Sequence, residues 1–434
     1  MRFILTMAVH ISRILTQFFH RYSHINWALG DQVLVSGANF LTGIFLARVL
    51  GLEEFGKFSL GWMVVLFANS IQNAMVISPM MSIGPKQLLD ARPAYYGAVM
   101  TYQLIFAIAM FVLVYEGTYF VHLVKPEWHI RGLALPLAVV AASCQFQDFL
   151  RRYFLTHNRG SAAVANDAVR YVGQLVALLW LNQHANMDGV MALWVIAAAA
   201  FSAVLFGAGT VAEVAWDAVT FRAMIKRHWR FSRWLVGSAV LQWTSGNVFI
   251  IAAGVLLGTA AVGALKASQN LMGIAHIFFQ AVENIAPVRS AWHFHQGGRT
   301  ALLKYLRKIL VVGGASTLVV SAIAASAPDF WLGLIYGEQY QGYGHLLQGF
   351  AVIYLIMFLA FPLSAGLRAI EHTSPLFFAY LLSTIFSLIA GYKFVQLWTL
   401  SGVLAGLIVA NLIIVSVSII GLLSGLDRAT KGRH

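Results

Sequence analysis

The sequence predicts an all-α polytopic membrane protein, with about twelve transmembrane helices in two pseudo-symmetric six-helix bundles around a central cavity. Three observations carry this reading. The 434 residues are 59% apolar and only 10% charged, with a mean hydropathy of +0.75. A soluble domain carries roughly 25% charged residues, so this chain has too little polar surface to face water, and a bilayer is the solvent that suits it. Next, 22 of its 29 Lys and Arg fall on one side of an alternating series of apolar segments. Last, the two halves repeat a short pattern of small residues at matching positions.

A spanning helix needs about 20 mostly apolar residues. Such segments fall near 27–50, 56–83, 95–115, 132–156, 161–183 and 189–209, and again near 232–257, 259–287, 303–326, 346–369, 374–396 and 400–424. The stretch 1–26 reads as a basic amphipathic segment on the inner membrane surface. Ile4, Met7, Ile11 and Phe18 recur at helical spacing, while Arg2, Arg13 and Arg21 fall elsewhere. His10 and Arg13 interrupt the apolar run that a signal peptide would need. Residues 27–209 then form the first bundle, 210–231 a cytoplasmic linker, 232–424 the second bundle and 425–434 a cytoplasmic tail.

With the N-terminus inside, the inner connections collect Lys86, Arg92, Arg151, Arg152, Arg159, Arg222, Lys226, Arg227, Arg230, Arg233, Arg289, Arg299, Arg368 and Arg428 with their neighbours. The outer connections hold little besides Lys57, Lys125 and Arg131. Positive charge gathers on the cytoplasmic side of membrane proteins, and the bias alternates correctly through twelve spans. The same bias accounts for the net charge of +13 without nucleic acid. Both termini are expected in the cytoplasm.

The halves match at the turn between their first two helices. Leu50 to Lys57 reads LGLEEFGK and Leu257 to Ala264 reads LGTAAVGA, each with Leu-Gly, then an apolar residue and Gly at the same offset. With a one-residue shift, Ser36-Gly37-Ala38-Asn39 lies against Ser245-Gly246-Asn247, and Pro79 against Pro287. Six plus six helices of equal orientation imply parallel repeats about an axis along the membrane normal. Two such bundles flanking a cleft are the architecture of alternating-access transport. The longest outer connections, Glu116 to Arg131 and Ala327 to Gly344, leave no room for a soluble catalytic domain.

Ionisable groups within spans are costly unless paired or wet, so each is a candidate for function. Asp167 and Arg170 lie three apart on one helix face and can pair with each other. Arg170 alternatively lines the cavity, where a planar guanidinium suits phosphate oxygens. Lys266 lies about 12 Å along its helix from the outer end, near Gln269 and Asn270. Arg48 either snorkels to headgroups or joins the substrate path with Asn39. Asp148, Arg151 and Arg152 occupy one turn at the inner boundary, as an anchor or as a collar that attracts an anionic lipid head. Asp31, Asp167 and Glu283 are the carboxylates available for coupling to a Na+ or H+ gradient.

No enzyme signature is present, and no catalytic residue, metal site or cofactor is expected. His122, His129 and His295 lack metal-ligand spacing, no Walker-type phosphate loop occurs, and Cys144 is the single cysteine. Export would therefore run on an ion gradient or on the substrate's own gradient.

Residues 28–80 resemble the polysaccharide-biosynthesis flippases, the polysaccharide transporter branch of the multidrug/oligosaccharidyl-lipid/polysaccharide exporter superfamily. The resembling pieces are Asp31-Gln32, Ser36-Gly37-Ala38-Asn39-Phe40, the Ala-Arg-Val-Leu-Gly of 47–51 and Glu-Phe-Gly at 54–56; QDFLRRYF at 147–154 is similar too. The resemblance implies a V-shaped pair of bundles in a bacterial cytoplasmic membrane. It implies that an undecaprenyl-pyrophosphate-linked oligosaccharide moves from the inner to the outer leaflet, with glycosyltransferases and a polysaccharide polymerase as partners. A twelve-helix chain suits this branch better than the peptidoglycan-precursor branch. A multidrug and toxin extrusion antiporter and a membrane polysaccharide polymerase remain the alternatives.

Overall fold

The computed structural model describes residues 23–211 and 214–431. Side chains are described from Leu34 to Arg428, apart from those of Ala212, Glu213, Ile277, Phe278, Ala281 and Asn284. The amphipathic segment expected over 1–26 therefore falls mostly outside the described residues, and the Asp31 side chain lies outside them too.

Among these residues the chain is helical throughout and crosses back and forth twelve times. The spans are α1 (23–50), α2 (52–83), α3 (Arg92–Val124), α4 (Ala134–Thr156), α5 (160–184) and α6 (Gly189–Ala208) in the first half. The second half contains α7 (Ala218–Leu257), α8 (259–296), α9 (299–326), α10 (Gly344–Ala369), α11 (374–398) and α12 (400–431). Successive spans run antiparallel, so the Arg- and Lys-rich connections share one end, here termed the basic end. Asp188 caps α6 by accepting from the Met191 amide at 2.7 Å. Asp217 caps α7 by accepting from the Thr220 amide at 2.7 Å. Hydrogen bonds from Thr220 hold the Asp217 carboxyl below the ordinary carboxylate range.

Two boundaries differ from the sequence expectation. α3 runs on to Val124, so most of the connection expected from Glu116 to Arg131 is helix. α7 begins at Ala218, so the linker shrinks to 209–217. The physical reason is burial. Met224 and His228 pack against α2 and α3, and the Tyr95 hydroxyl meets His228 Nε2 at 3.0 Å. The linker is pinned by the Ala215 amide, which donates to the Pro93 carbonyl at 3.1 Å.

The repeat read from LGLEEFGK and LGTAAVGA appears in the backbone. Gly51 ends α1 at φ 77°, ψ 176°, and Gly258 ends α7 at φ 91°, ψ 172°, a region that is essentially glycine-only. Gly56 of α2 lies against the Thr259 carbonyl at the start of α8, and Gly263 of α8 lies against the Leu52 carbonyl at the start of α2. A Cβ on either glycine would collide with the opposing backbone. The contact is reciprocal, as a pseudo-twofold axis requires. Small residues let helix backbones meet in a bilayer, where lipid supplies no hydrophobic drive to associate.

From this crossing the seam extends in two arms. Along one, α1 packs on α8: Gly43 abuts Asn270, and Gly273 lies near Phe40. Along the other, α2 packs on α7: Gly254 meets Leu60, the Phe67 ring meets Trp243 at a tilt with ring centroids 4.7 Å apart, and His228 reaches Tyr95 of α3. The halves are thus joined at the glycine crossing opposite the basic loops and again where the start of α7 meets α2 and α3 at the basic end.

Gly51→Ala forces a side chain into a glycine-only conformation, and we expect it to cost about 1–3 kcal/mol. Gly56→Leu wedges the α2–α8 crossing open. Both variants should lower the thermal unfolding midpoint in detergent; an unchanged midpoint for Gly56→Leu would show that the crossing is not close.

Candidate functional site

The interior of the first bundle is ionic. α4 supplies Gln147, Asp148, Arg151 and Arg152, all from the QDFLRRYF motif. Asp167 is fully buried; its Oδ2 lies 2.8 Å from Arg151 Nε, and its Oδ1 accepts from Gln147 Nε2 at 2.6 Å. Gln147 Nε2 also donates to Asn166 Oδ1 at 2.8 Å, and Asn166 Nδ2 donates to the Ala203 carbonyl of α6 at 2.6 Å. Arg170 donates to Gln147 Oε1 and lies over the Tyr171 ring, 4.6 Å from its centroid. α5 passes through this site as a five-residue π-turn, Ala168–Val172, which alters the angular spacing that an unbroken α-helix would give.

These contacts correct the sequence reading. Arg151 of α4 is an ion partner of Asp167 that the i,i+3 spacing with Arg170 did not suggest. Arg151 and Arg170 are 7% and 5% exposed, held inside the first bundle rather than facing an open cavity. Arg152 is half-buried at the rim, 3.8 Å from Asp148. A buried charge demands compensation, and here each guanidinium finds it within its own bundle.

The second bundle differs. Several of its buried hydroxyls bond to carbonyls: Ser321 to Ala351 at 3.2 Å, Ser383 to Ala410 at 3.1 Å and Thr384 to Leu241 at 2.8 Å. Its deep cation, Lys266, lies on α8. From Ala261 to Leu271 that helix is buried on almost every side, and Lys266, Gln269 and Asn270 are its half-buried polar residues. Lys266 Nζ donates to Gln269 Oε1 at 3.0 Å. Asn270 Nδ2 donates to the Tyr336 hydroxyl at 3.3 Å, and the Tyr354 hydroxyl donates to the Gln269 carbonyl at 3.4 Å.

Towards the basic end, α8 is exposed on two faces. Beyond the break at Met272, His276, Gln280 and Glu283 share one face of α8, a polar stripe, at about 100° per residue. Ile274, Ile285, Val288 and Trp292 lie across the helix, and all four are exposed. An apolar exposed face belongs in lipid. A polar exposed face on the far side of the same helix needs water, so a wet groove opens towards the basic end. Tyr380 and Gln242 extend it from α11 and α7, with Gln242 Nε2 3.5 Å from the Tyr380 hydroxyl.

The remaining expected residues scatter. Asn39 is exposed on α1. Arg48 is exposed near the opposite end, where Nη1 lies 3.5 Å from the Leu334 carbonyl, away from the stripe. Glu283 is exposed on the stripe. His276, Tyr380 and Gln242 were missed; the recurrence of polar residues at 266, 269, 276, 280 and 283 was the signal that would have placed His276. Among the described residues, no group of three His, Cys, Asp or Glu is arranged to hold a metal ion.

The MatE family matches over residues 235–393, which cover most of α7 through α11. No curated protein sequence matches the chain. Solved structures do. A multidrug resistance MATE transporter of the MOP superfamily in its inward-facing conformation has a TM-score of 0.76 at 14% identity, over 92% of this chain and 95% of that one. An outward-facing structure of a multidrug resistance MATE transporter has a TM-score of 0.64 at 14% identity, covering 92% and 93%. The lipid II flippase MurJ, inward closed, has a TM-score of 0.71 at 10% identity, covering 93% and 89%. The chain has the all-helical fold of these MOP-superfamily transporters and is a polytopic membrane protein.

Asp167→Ala leaves Arg151 without its buried partner, and we expect a loss of about 3–5 kcal/mol. The double variant Arg151→Met/Asp167→Leu should recover most of it. Thermal denaturation of the three proteins checks this; a double variant less stable than Asp167→Ala alone would contradict the pairing.

Proposed function

We propose that this chain is an alternating-access transporter, poised with its groove open to the cytoplasm, that moves a lipid-linked oligosaccharide from the inner to the outer leaflet of a bacterial cytoplasmic membrane. The substrate is an anionic, amphipathic molecule such as an undecaprenyl-pyrophosphate-linked glycan. The observation that carries this is Lys266. It lies deep in a span, on a stretch of α8 flanked by buried residues, and its ammonium is met by an amide, Gln269, and not by a carboxylate. A cation with a neutral partner in a low-dielectric groove attracts an anion. The amide and hydroxyl groups along α8, α7 and α11 suit sugar hydroxyls.

The polarity at depth also bears on the alternative, a cation-coupled multidrug antiporter, which the MatE match and the MATE structures favour. That activity calls for a carboxylate open to the groove. Asp167 is engaged by Arg151 and Gln147. The exposed carboxylate on the stripe, Glu283, lies near the mouth. In the flippase reading Glu283 is the group for Na+ or H+ coupling, and Arg151 and Arg170 keep the first bundle rigid. The basic end is assigned to the cytoplasm by its charge. Enzymes that build the glycan on its carrier supply the substrate there, and a polymerase consumes it outside.

Reconstituted into liposomes, the protein should move a fluorescent undecaprenyl-pyrophosphate-linked glycan between leaflets. Lys266→Ala should slow this about tenfold or more, the scale of one charge-assisted hydrogen bond, and Lys266→Arg should retain most of it. Expulsion of organic cations that survives Lys266→Ala would establish the antiporter instead. Tags at residue 1 and residue 434 should both report the cytoplasm; tags on opposite sides would overturn the orientation.

A further inference from the structure

The connection between α9 and α10 is a folded object. It comprises the helix Pro328–Tyr336 and a single turn, Glu338–Tyr340. Asp329 closes it on itself, its Oδ1 accepting from the Gly342 amide at 2.8 Å and the Gly344 amide at 2.9 Å. Trp331 Nε1 donates to the Ile323 carbonyl of α9 at 2.9 Å, which fixes the segment to its own bundle. Yet two of its tyrosines point inward. Tyr336 and Tyr340 are both fully buried, with ring centroids 5.3 Å apart.

Each tyrosine holds a different bundle. The Tyr336 hydroxyl accepts from Asn270 on α8 of the second bundle. The Tyr340 hydroxyl donates to the Ala47 carbonyl on α1 of the first bundle at 2.8 Å. Arg48 reaches the Leu334 carbonyl of the same segment. Gln339 lies over Gly51, where a Cβ would fall 2.8 Å from its Oε1. The counterpart connection in the first bundle, 125–133, packs on α3, α4 and α6 of its own bundle.

We propose that the segment 327–343 is a preformed plug that latches the end of the groove opposite the basic loops. It is carried by the second bundle and bolted to the first through Ala47, so that end opens only when Tyr340 leaves the Ala47 carbonyl. This gives Arg48 a role outside the substrate site, as part of the latch. It also joins the latch to the groove, because Asn270, which holds Tyr336, follows Gln269, which holds Lys266. A shift of α8 on occupancy of the groove reaches the plug through one residue.

The test does not depend on the substrate. Cys144 is fully buried, so Gln269→Cys provides a single reactive thiol in the groove just below the plug. In vesicles that expose the end opposite the basic loops, a membrane-impermeant maleimide should label this thiol slowly. Adding Tyr340→Phe should speed labelling about fivefold, the scale of one lost buried hydrogen bond, and Tyr336→Phe/Tyr340→Phe more. Rates that do not change, or fast labelling with the plug intact, would overturn the proposal. A second arm covers a variant that fails to fold. Arg48→Cys and Leu334→Cys, bridged by a reducible thiol cross-linker before maleimide is added, should block labelling at 269 until the bridge is reduced. Labelling of the bridged protein at the unbridged rate would also overturn it.

Discussion

The architecture depends on backbone touching backbone where α2 crosses α8. Gly56 and Gly263 each accept the opposing chain's carbonyl where any side chain would intrude. In water such a contact would be one of many. In a bilayer, where lipid tails solvate apolar side chains as well as another helix does, close packing and hydrogen bonds are what join two bundles. The positive-φ glycines at 51 and 258 bring both halves to this point in the same way, which makes the joint symmetric. The pivot lies near one end; at the basic end the start of α7 still holds α2 and α3, while α8, on the other arm of the seam, is exposed on two opposed faces.

About this pivot the bundles are not equivalent. The first invests in an enclosed network, in which Arg151, Asp167, Gln147, Asn166 and Arg170 tie α4, α5 and α6 together. Such a network has little freedom to meet a substrate, because taking any member away strands a buried charge. The second bundle uses hydroxyl-to-carbonyl bonds internally and carries its deep cation, Lys266, on α8. The two bundles thus differ in where their deep charges lie, an asymmetry that a symmetric helix count does not reveal.

Much of this was legible in the sequence. The alternation of basic loops predicts twelve spans where only eight apolar stretches among the described residues are long enough, because Gly51 and Thr399 each fold one stretch into two spans, and α5 and α8 are interrupted at Ala168–Val172 and at Met272. LGLEEFGK and LGTAAVGA marked the joint. What stayed hidden was partnership across helices. Arg170 and Lys266 look alike as deep cations in apolar helices; only tertiary packing shows one enclosed with Gln147 and Tyr171 and the other half-buried beside Gln269. The i,i+3 rule suggested a pair within α5, and it gave no view of Arg151 on the neighbouring helix. Tyr336 and Tyr340 read as ordinary loop aromatics, since nothing local marks a loop that turns inward.

The placement of Lys266 and Asn270 sets a constraint on how the groove and its far end communicate. Both lie on the part of α8 that is enclosed on almost every side, where close packing permits discrete shifts more readily than gradual bending. Below Met272, where the helix geometry breaks, α8 is exposed on two faces and free to follow the opening of the basic end. A charge drawn to Lys266 therefore acts on the stiff upper segment, whose next hydrogen-bonding residue carries the plug. On the flippase reading, the break at Met272 divides the helix between the half that admits a substrate and the half that senses it, and a single helix links one end of the groove to the other.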